Sequence, residues 1–268
     1  QLKADIQSIK KHAELGFMVK TKAQEIHTQS LVIATGGLSI PKMGATPFAY
    51  KIAEQFDIKV QPTRAGLVPF TLHVEDKEKF AVLSGLALVA TISNACQSFT
   101  ENLLFTHRGL SGPVALQMSS YWQEGEELVI NLLPDLDLQQ QLLQAQQEKI
   151  KLKLKNYLAH RLAKRLVSTF LQEEMLELSV LDLSHKQIQQ IAQQFNHWTI
   201  KPNGTEGYRT AEVTLGGVDC HAISSKTLEA NQVPALYFVG EALDITGWLG
   251  GYNFQWAWAS GWCAGQVV

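Results

Sequence analysis

Residues 236–265, LYFVGEALDITGWLGGYNFQWAWASGWCAG, are the stretch that decides the fold. The run Leu236 to Val239 is apolar, is typical of a buried strand and ends at Gly240-Glu241. A glycine-rich loop, Gly247 to Gly251, and a predicted helix from Asn253 to Val268 follow. In an open α/β sheet, ligands bind beyond the carboxyl ends of strands, where loops and helix N-termini offer backbone N–H groups. The stretch therefore predicts a binding junction for a phosphate or for the edge of an electron-rich ring.

The predicted C-terminal helix carries small residues at helical spacing. Ala257, Gly261 and Gly265 recur every four positions, so one face can approach a sheet or a cofactor closely. Trp258 and Trp262 form a bulky face. For the glycine loop alone, an ordinary core helix behind a turn is the simpler alternative. A membrane span is rejected because the segment opens with a turn, contains glycines and amides, and has no basic flank.

Two further predicted strands end at paired glycines. Leu31 to Ala34 leads into Thr35-Gly36-Gly37, and Glu212 to Leu215 leads into Gly216-Gly217. Taken singly, such a pair of glycines more often only ends a strand in a turn. Three junctions, with Gly250 as the third, favour one cofactor approached closely by backbone from several sides, which glycine permits.

Between these segments the composition changes twice. Short β-rich runs in residues 64–134 and 198–207 predict an inserted antiparallel, barrel-like β domain. Leucines at helical spacing predict a helical subdomain over residues 135–197. Residues 1–63 and 208–268 then form an α/β domain that is discontinuous in sequence.

The segment Gly109-Leu110-Ser111-Gly112-Pro113 invites comparison with a hydrolase nucleophile elbow. That motif requires glycine two positions after the serine, where Pro113 stands, so a hydrolase is rejected. We expect Ser111 to cap a helix that begins at Pro113.

The charge is unevenly distributed. The chain has 268 residues, 46% hydrophobic, and a net charge of −2, but Lys149 to Arg165 holds seven basic residues and no acid. We expect this run to form a basic helix on which Arg161, Lys164 and Arg165 share a face, with Lys153 near it. A solvated surface is the simpler interpretation, and RNA contact through 149–165 is the alternative.

The cysteines indicate a reducing compartment. Cys96, Cys220 and Cys263 are odd in number, widely separated and without a C-x-x-C motif, so neither a disulfide framework nor a structural zinc site is indicated. We therefore expect no metal and a cytoplasmic location, with no membrane association.

Four long motifs closely resemble the YhiN/BaiN-like (aminoacetone oxidase-like) family of NAD(P)/FAD-dependent oxidoreductases. They are GEALDITGWLGGYNFQWAW at 240–258, EGYRTAEVTLGGVD at 206–219, LLFTHRGLSGPVALQ at 103–117 and LVIATGGLSIPKMGATPFAYKIAEQF at 31–56. The family begins with a G-x-G-x-x-G turn, which this chain lacks. The resemblance therefore implies the C-terminal portion of such a flavoprotein, with an incomplete Rossmann-like FAD-binding domain.

The resemblance also implies FAD as the cofactor and NAD(P)H as the candidate reductant. The expected cofactor-binding residues are Thr35, Gly36, Gly37, Gly216, Gly217, Gly240, Glu241, Leu249, Gly250, Gly251, Tyr252 and Asn253. Leu249 stands where some members carry a cysteine, which puts a cysteine-based acid in doubt. The catalytic acid or base is unassigned, with His107, Tyr208, Arg209 and Tyr252 as weak candidates, each of them more simply structural.

Three interpretations of the function follow. The first is a flavoprotein that transfers hydride to or from an unidentified small molecule. The second is a flavoenzyme that reduces uridine in ribosomal RNA, because the family has been linked to that reaction. The third is an inactive fragment that does not retain FAD.

Overall fold

A computed structural model describes residues 4–12 and 16–268, which divide into two compact units. The first unit, here called the α/β unit, contains the described residues up to Gly66 and from Gly207 onward. The second, here called the β-helical unit, runs from Leu67 to Glu206. Treating residues 135–197 as a separate subdomain stays a prediction.

The strands are β1 (Ile6–His12), β2 (Gly16–Thr21), β3 (Glu25–Thr28), β4 (Leu31–Ile33), β5 (Val60–Gly66), β6 (Phe70–Thr71), β7 (Ala87–Ser93), β8 (Ser98–Phe105), β9 (Gly109–Ser111), β10 (Leu128–Asn131), β11 (Trp198–Ile200), β12 (Gly204–Thr205), β13 (Val213–Val218), β14 (Glu229–Ala230) and β15 (Val233–Phe238). The α-helices are α1 (Phe48–Gln55), α2 (Val74–Phe80), α3 (Pro113–Ser119), α4 (Leu138–Gln147), α5 (Leu154–Leu158), α6 (Lys164–Phe170), α7 (Glu173–Glu177), α8 (His185–Asn196) and α9 (Tyr252–Gly265).

The centre of the α/β unit is a parallel pair of apolar strands, of which β15 is largely buried. β15 lies beside β4 in the register Leu236 to Leu31 and Phe238 to Ile33, and β14 pairs with the other edge of β15. Both strands are apolar because parallel strands are normally covered on both faces. The prediction that both runs form strands is confirmed.

Two other sheets and one helix complete this unit. β1, β2 and β3 form an antiparallel meander. β5 pairs with β13 in an antiparallel ribbon. Helix α1 buries Ala49, Tyr50, Ile52 and Ala53 against the core.

The β-helical unit contains an antiparallel sheet in the order β11-β10-β7-β8-β9-β6-β12. Its core continues without a break into the helices, from Phe70 and Phe105 on the strands to Leu142 on α4 and Phe195 on α8. Ser184 caps α8 in a capping box with Gln187. The inserted antiparallel sheet and the helices after it are therefore present.

Three local predictions were wrong. Ser111 does not cap α3, because it ends β9 while Gly112, at φ 86°, occupies the cap position. Gly216 and Gly217 do not follow a strand but lie inside β13, where the register with β5 shifts. Residues 149–165 are not one helix: Lys153 forms a bridge with Ser179, α5 begins only at Leu154, and a loop separates it from α6.

Within residues 4–12 and 16–268, no helix combines the length and apolar character needed to cross a membrane.

Candidate functional site

Glu241 lies directly beyond the carboxyl end of β15. A short 3₁₀ turn, Gly240–Ala242, positions its carboxylate, whose Oε1 accepts a hydrogen bond from the Thr214 backbone N–H at 2.7 Å. Burial raises the pKa of Glu241, and the hydrogen bonds from Thr214 oppose that shift. The carboxyl group is therefore desolvated and already ordered by the protein.

Thr214 connects this carboxylate to the loop after β4. Its Oγ1 accepts a hydrogen bond from the Leu38 backbone N–H at 2.8 Å and lies 3.2 Å from the Ser39 hydroxyl. A Cβ atom on Gly37 would stand 2.5 Å from Thr214 Oγ1 and 2.8 Å from Glu241 Oε1, closer than side-chain packing allows. The structure thus brings Gly37 and Glu241, two predicted site residues, into direct contact.

Two buried tyrosine hydroxyls belong to the same cluster. The hydroxyl groups of Tyr50, on α1, and of Tyr208 have no hydrogen-bond partner within the described residues. Burial, together with the charge of Glu241 and with Tyr208, strongly raises the pKa of Tyr50. Since a buried polar group without a partner costs about 1–3 kcal/mol, such atoms mark a place where a ligand or water completes the bonding.

Sequence reasoning missed Tyr50 and Thr214. Tyr50 lies within the motif at 31–56 and Thr214 within the predicted strand Glu212 to Leu215, and neither was singled out as a site residue. The Tyr208 backbone carbonyl accepts a hydrogen bond from the N–H of Ile40, which stands at φ 53° just after the Gly36-Gly37 segment. This contact joins the turn that contains Tyr208 to the loop after β4. A polar side chain on an otherwise apolar strand or helix face is the signal that would have found them.

The glycine loop before α9 is held by Asn253. Its side chain accepts a bond from the Gly247 N–H at 2.8 Å and donates to the Gly247 carbonyl at 3.0 Å. Gly250 and Gly251 have φ of 117° and 90°, and a Cβ on Gly251 would meet no atom within 4 Å. The loop therefore needs glycine for its backbone, and Gly251 faces open space at the start of α9.

Helix α9 is fixed to the end of β15 through Gly240. The Ser260 hydroxyl accepts a hydrogen bond from the Gly240 N–H at 2.9 Å, and the Trp256 indole donates to the Gly240 carbonyl at 3.1 Å. The opposite face of the helix is exposed, with relative accessibilities of 62–69% for Tyr252, Phe254, Trp258 and Trp262. The bulky face predicted from the tryptophans is thus the exposed one.

The remaining predicted residues are more scattered. Thr35 is exposed after β4, Leu249 is half-buried in the glycine loop, and Arg209 ends the 3₁₀ turn that begins at Gly207. Gly217 approaches the turn of Glu241, since its Cβ would lie 2.8 Å from the Ala242 carbonyl. His107 belongs to the β-helical unit, in the turn between β8 and β9.

The donor set of the α/β unit fits a ligand rich in hydroxyl groups and phosphate. It comprises a desolvated carboxyl group at Glu241, two buried hydroxyls that lack a partner within the described residues, and glycine backbone at Gly36 and Gly251 with open space where a Cβ would lie. Phenol hydroxyls and backbone N–H groups donate to phosphate or ring oxygens, while a carboxylate accepts from ribose-type hydroxyls.

One family model matches more than half of the chain. Residues 64–213 match the model described as HI0933-like protein barrel and H2TH domain. That span contains the whole β-helical unit, including its antiparallel sheet and its helices.

Three curated relatives match nearly the full chain. Proteins of Escherichia coli (strain K12) and Haemophilus influenzae (strain ATCC 51907 / DSM 11121 / KW20 / Rd), both named ribosomal RNA dihydrouridine synthase, are 53% and 49% identical over 269 and 259 residues. The alignments cover 99% and 96% of this chain but 67% and 64% of those proteins. The 3-dehydro-bile acid delta(4,6)-reductase of Clostridium scindens (strain ATCC 35704 / DSM 5676 / VPI 13733 / 19) is 24% identical, over 94% of this chain and 65% of its own length. The chain thus spans about two thirds of the length of these relatives, all of which are named as enzymes and none as an oxidase.

Proposed function

The chain belongs to the HI0933-like family, and on that basis we propose that it acts as a flavin-dependent enzyme that reduces uridine to dihydrouridine in ribosomal RNA. The observation that carries the proposal is the 53% and 49% identity, over almost the whole chain, to two proteins named for that activity. This favours the RNA interpretation over the small-molecule one.

A small-molecule substrate is the second candidate, and one observation favours it. The relative named as a bile acid reductase also aligns with nearly the whole chain, at 24% identity. That identity is about half that of the ribosomal RNA enzymes. We therefore place reduction of a free unsaturated ring second.

FAD is the cofactor that the site of the α/β unit supports. When bound, it would supply hydride transfer to the carbon–carbon double bond that is reduced. Glu241 would accept hydrogen bonds from its hydroxyl groups, and the N–H groups of Gly250 and Gly251 would donate to its anionic or carbonyl oxygens. The buried hydroxyls of Tyr50 and Tyr208 supply two donors that no group in the described part of the chain engages.

Reduction of uridine also requires one proton, with NAD(P)H as the proposed source of the hydride. Because burial raises the pKa of Tyr50 far above neutrality, its hydroxyl keeps its proton at physiological pH. Tyr50 is therefore the proposed proton-holding group of the α/β unit, and Tyr208 stays a weak candidate. The weak candidates Arg209, Tyr252 and His107 stay predictions.

Disruption of the gene, followed by mass spectrometry of ribosomal RNA nucleosides, tests the proposal. We expect dihydrouridine to disappear from the ribosomal RNA and to return with a plasmid carrying the wild-type gene. Glu241→Ala should fail to restore it, whereas the control Gly261→Ala, a position with open space around it, should succeed. Unchanged dihydrouridine in the disrupted strain would exclude this function.

A further inference from the structure

The seven basic residues of 149–165 do not share one surface in the structure. Lys155, Lys164 and Arg165 line a single cleft of about 380 Å³ between α5, α6 and α7. Arg161 lines a different cleft, together with Tyr157 and His160. The break between α5 and α6 thus places the basic side chains in different clefts. We call the cleft that is lined by Lys155, Lys164 and Arg165 the cation cleft.

Two of the three cations are held in place by neighbouring groups. Lys155 pairs with Glu177, which also binds Lys153 at 2.5 Å, and these two bonds lower the pKa of Glu177 to about 2. The Arg165 guanidinium lies 3.5 Å and 3.4 Å from the carbonyl oxygens of Val82 and Ser84. These contacts order the cations before any ligand arrives, which reduces the entropy lost on binding.

The third cation is uncommitted. Lys164, the first residue of α6, is exposed, and its side-chain ammonium group makes no ion pair or hydrogen bond within the described residues. The cleft also contains one carboxylate, Glu173, so its four charged side chains sum to +2. Its polar lining of Asn156 and Ser168 can donate further hydrogen bonds, which suits an oxyanion with several acceptor oxygens.

A second, larger cleft of about 1180 Å³ shares Ser168 and Glu173 with the cation cleft. Five glutamines line it: Gln172, Gln189, Gln190, Gln193 and Gln194. Glutamine amides both donate and accept hydrogen bonds, as base edges and 2′-hydroxyls require, and they carry no charge that would repel a phosphate. The two clefts therefore offer a phosphate-binding position beside a hydrogen-bonding wall of glutamines, to which Lys79 and Lys186 add two further cations.

We propose that the cation cleft binds a backbone phosphate of ribosomal RNA and that the adjoining nucleotides lie along the glutamine-lined cleft. This inference rests on the proposed function, which supplies the RNA. The RNA-binding residues are then Lys155, Lys164 and Arg165 rather than one continuous face of a basic helix, and Arg161 does not belong to them. An acidic protein segment is the competing occupant, but it lacks the base edges and 2′-hydroxyls with which the five glutamine amides can pair.

The test compares two double variants of equal charge. Lys164→Ala/Arg165→Ala removes two cations from the cleft, whereas Lys151→Ala/Arg161→Ala removes two from the same basic run outside it. Binding of fluorescein-labelled transcripts of bacterial ribosomal RNA domains is measured by anisotropy across a salt series. Lys164→Arg/Arg165→Lys, which keeps both charges, and thermal unfolding of every variant complete the set.

We expect the cleft variant to bind RNA about tenfold more weakly and to lose about 1.5 units of the log–log salt slope, since each cation on a single strand contributes about 0.7. The control and the charge-keeping variant should stay within about threefold of wild type. Equal losses of RNA affinity in the two alanine variants would overturn the inference. So would a cleft variant that binds a polyglutamate peptide more weakly than wild type but binds RNA equally well.

Dihydrouridine measured in the same variants separates this inference from the proposed function. If the wild type makes dihydrouridine while the cleft variant binds RNA as the control does, only the cleft assignment fails. If the wild type neither binds a ribosomal transcript nor makes dihydrouridine, both fail. If it makes dihydrouridine without measurable binding to any transcript, the cleft assignment again fails alone.

Discussion

The Glu241 carboxylate accepts a hydrogen bond from the Thr214 backbone N–H, 2.7 Å away and 27 positions earlier in the chain. Through the Thr214 hydroxyl, which accepts a bond from Leu38 at 2.8 Å, the end of β15 is joined to β13 and to the loop after β4. Glu241 therefore organises the backbone of the site in addition to any role in holding a ligand.

Glu241→Gln should flatten the dependence of stability on pH. Burial raises the folded-state pKa of Glu241 above its ordinary value of 4.5, so the stabilising contribution of the protonated form is complete below that value and is lost as pH rises through the folded pKa. A neutral glutamine has no such loss. Urea midpoints from pH 4 to pH 8 should fall less steeply in the variant, and parallel curves would show that Glu241 is not desolvated.

Gly37→Ala should destabilise the α/β unit by about 1–3 kcal/mol, because the new methyl group would press on Thr214 and Glu241. Gly261→Ala is the matched control, since it lies in α9 with no atom within 4 Å of the added Cβ. That change should stabilise the protein by about 0.5–1 kcal/mol through helix propensity. Denaturant titration measures both, and equal stability of the two variants would refute the contact.

Gly251→Val should remove flavin without unfolding the protein. The position has φ 90°, which costs a β-branched residue about 1–3 kcal/mol, but it has open space around it, so the fold survives. The side chain would stand before the N–H groups that face the proposed cofactor. The flavin-to-protein ratio should fall sharply relative to wild type and to Gly261→Ala, and a variant that purifies yellow with an unchanged spectrum would contradict the assignment.

Asn196→Ala should destabilise the β-helical unit by about 2–4 kcal/mol, since one buried side chain satisfies several backbone groups at once. Asn196 accepts from the Leu138 N–H at 3.0 Å and donates to the Leu136 carbonyl at 2.8 Å and to Asn131 Oδ1 at 3.0 Å. Ser184→Ala, which removes only a helix cap, should cost about 1 kcal/mol. Thermal unfolding that ranks these two variants in the opposite order would contradict the role of Asn196.

The elements that local sequence determines were predictable. The apolar runs of β4 and β15 depend on residues next to each other in the chain, and the structure confirms both runs as strands. The turns formed by the glycines after β15 were also predictable, because glycine is the residue type that most readily adopts a positive φ.

The features that failed depend on contacts between distant residues. Gly216-Gly217 looked like the end of a strand, but the register with β5 shifts at Gly216 and pairing resumes between Gly217 and Gln61. The basic run looked helical, but the bridge from Lys153 to Ser179 holds it extended before α5 begins. Only the fold shows that the buried Tyr50 hydroxyl has no hydrogen-bond partner among the residues that the structure describes.

The most direct test of the account is reduction of ribosomal RNA by the purified natural protein. Unmodified ribosomal transcripts would be incubated with the protein, FAD and NADPH or NADH, digested, and analysed by mass spectrometry for the gain of two hydrogens in uridine. We predict dihydrouridine that depends on protein, flavin and nicotinamide together, and that falls strongly in Glu241→Ala. Flavin oxidation by a small unsaturated ring, with no dihydrouridine in any transcript, would contradict the central claim.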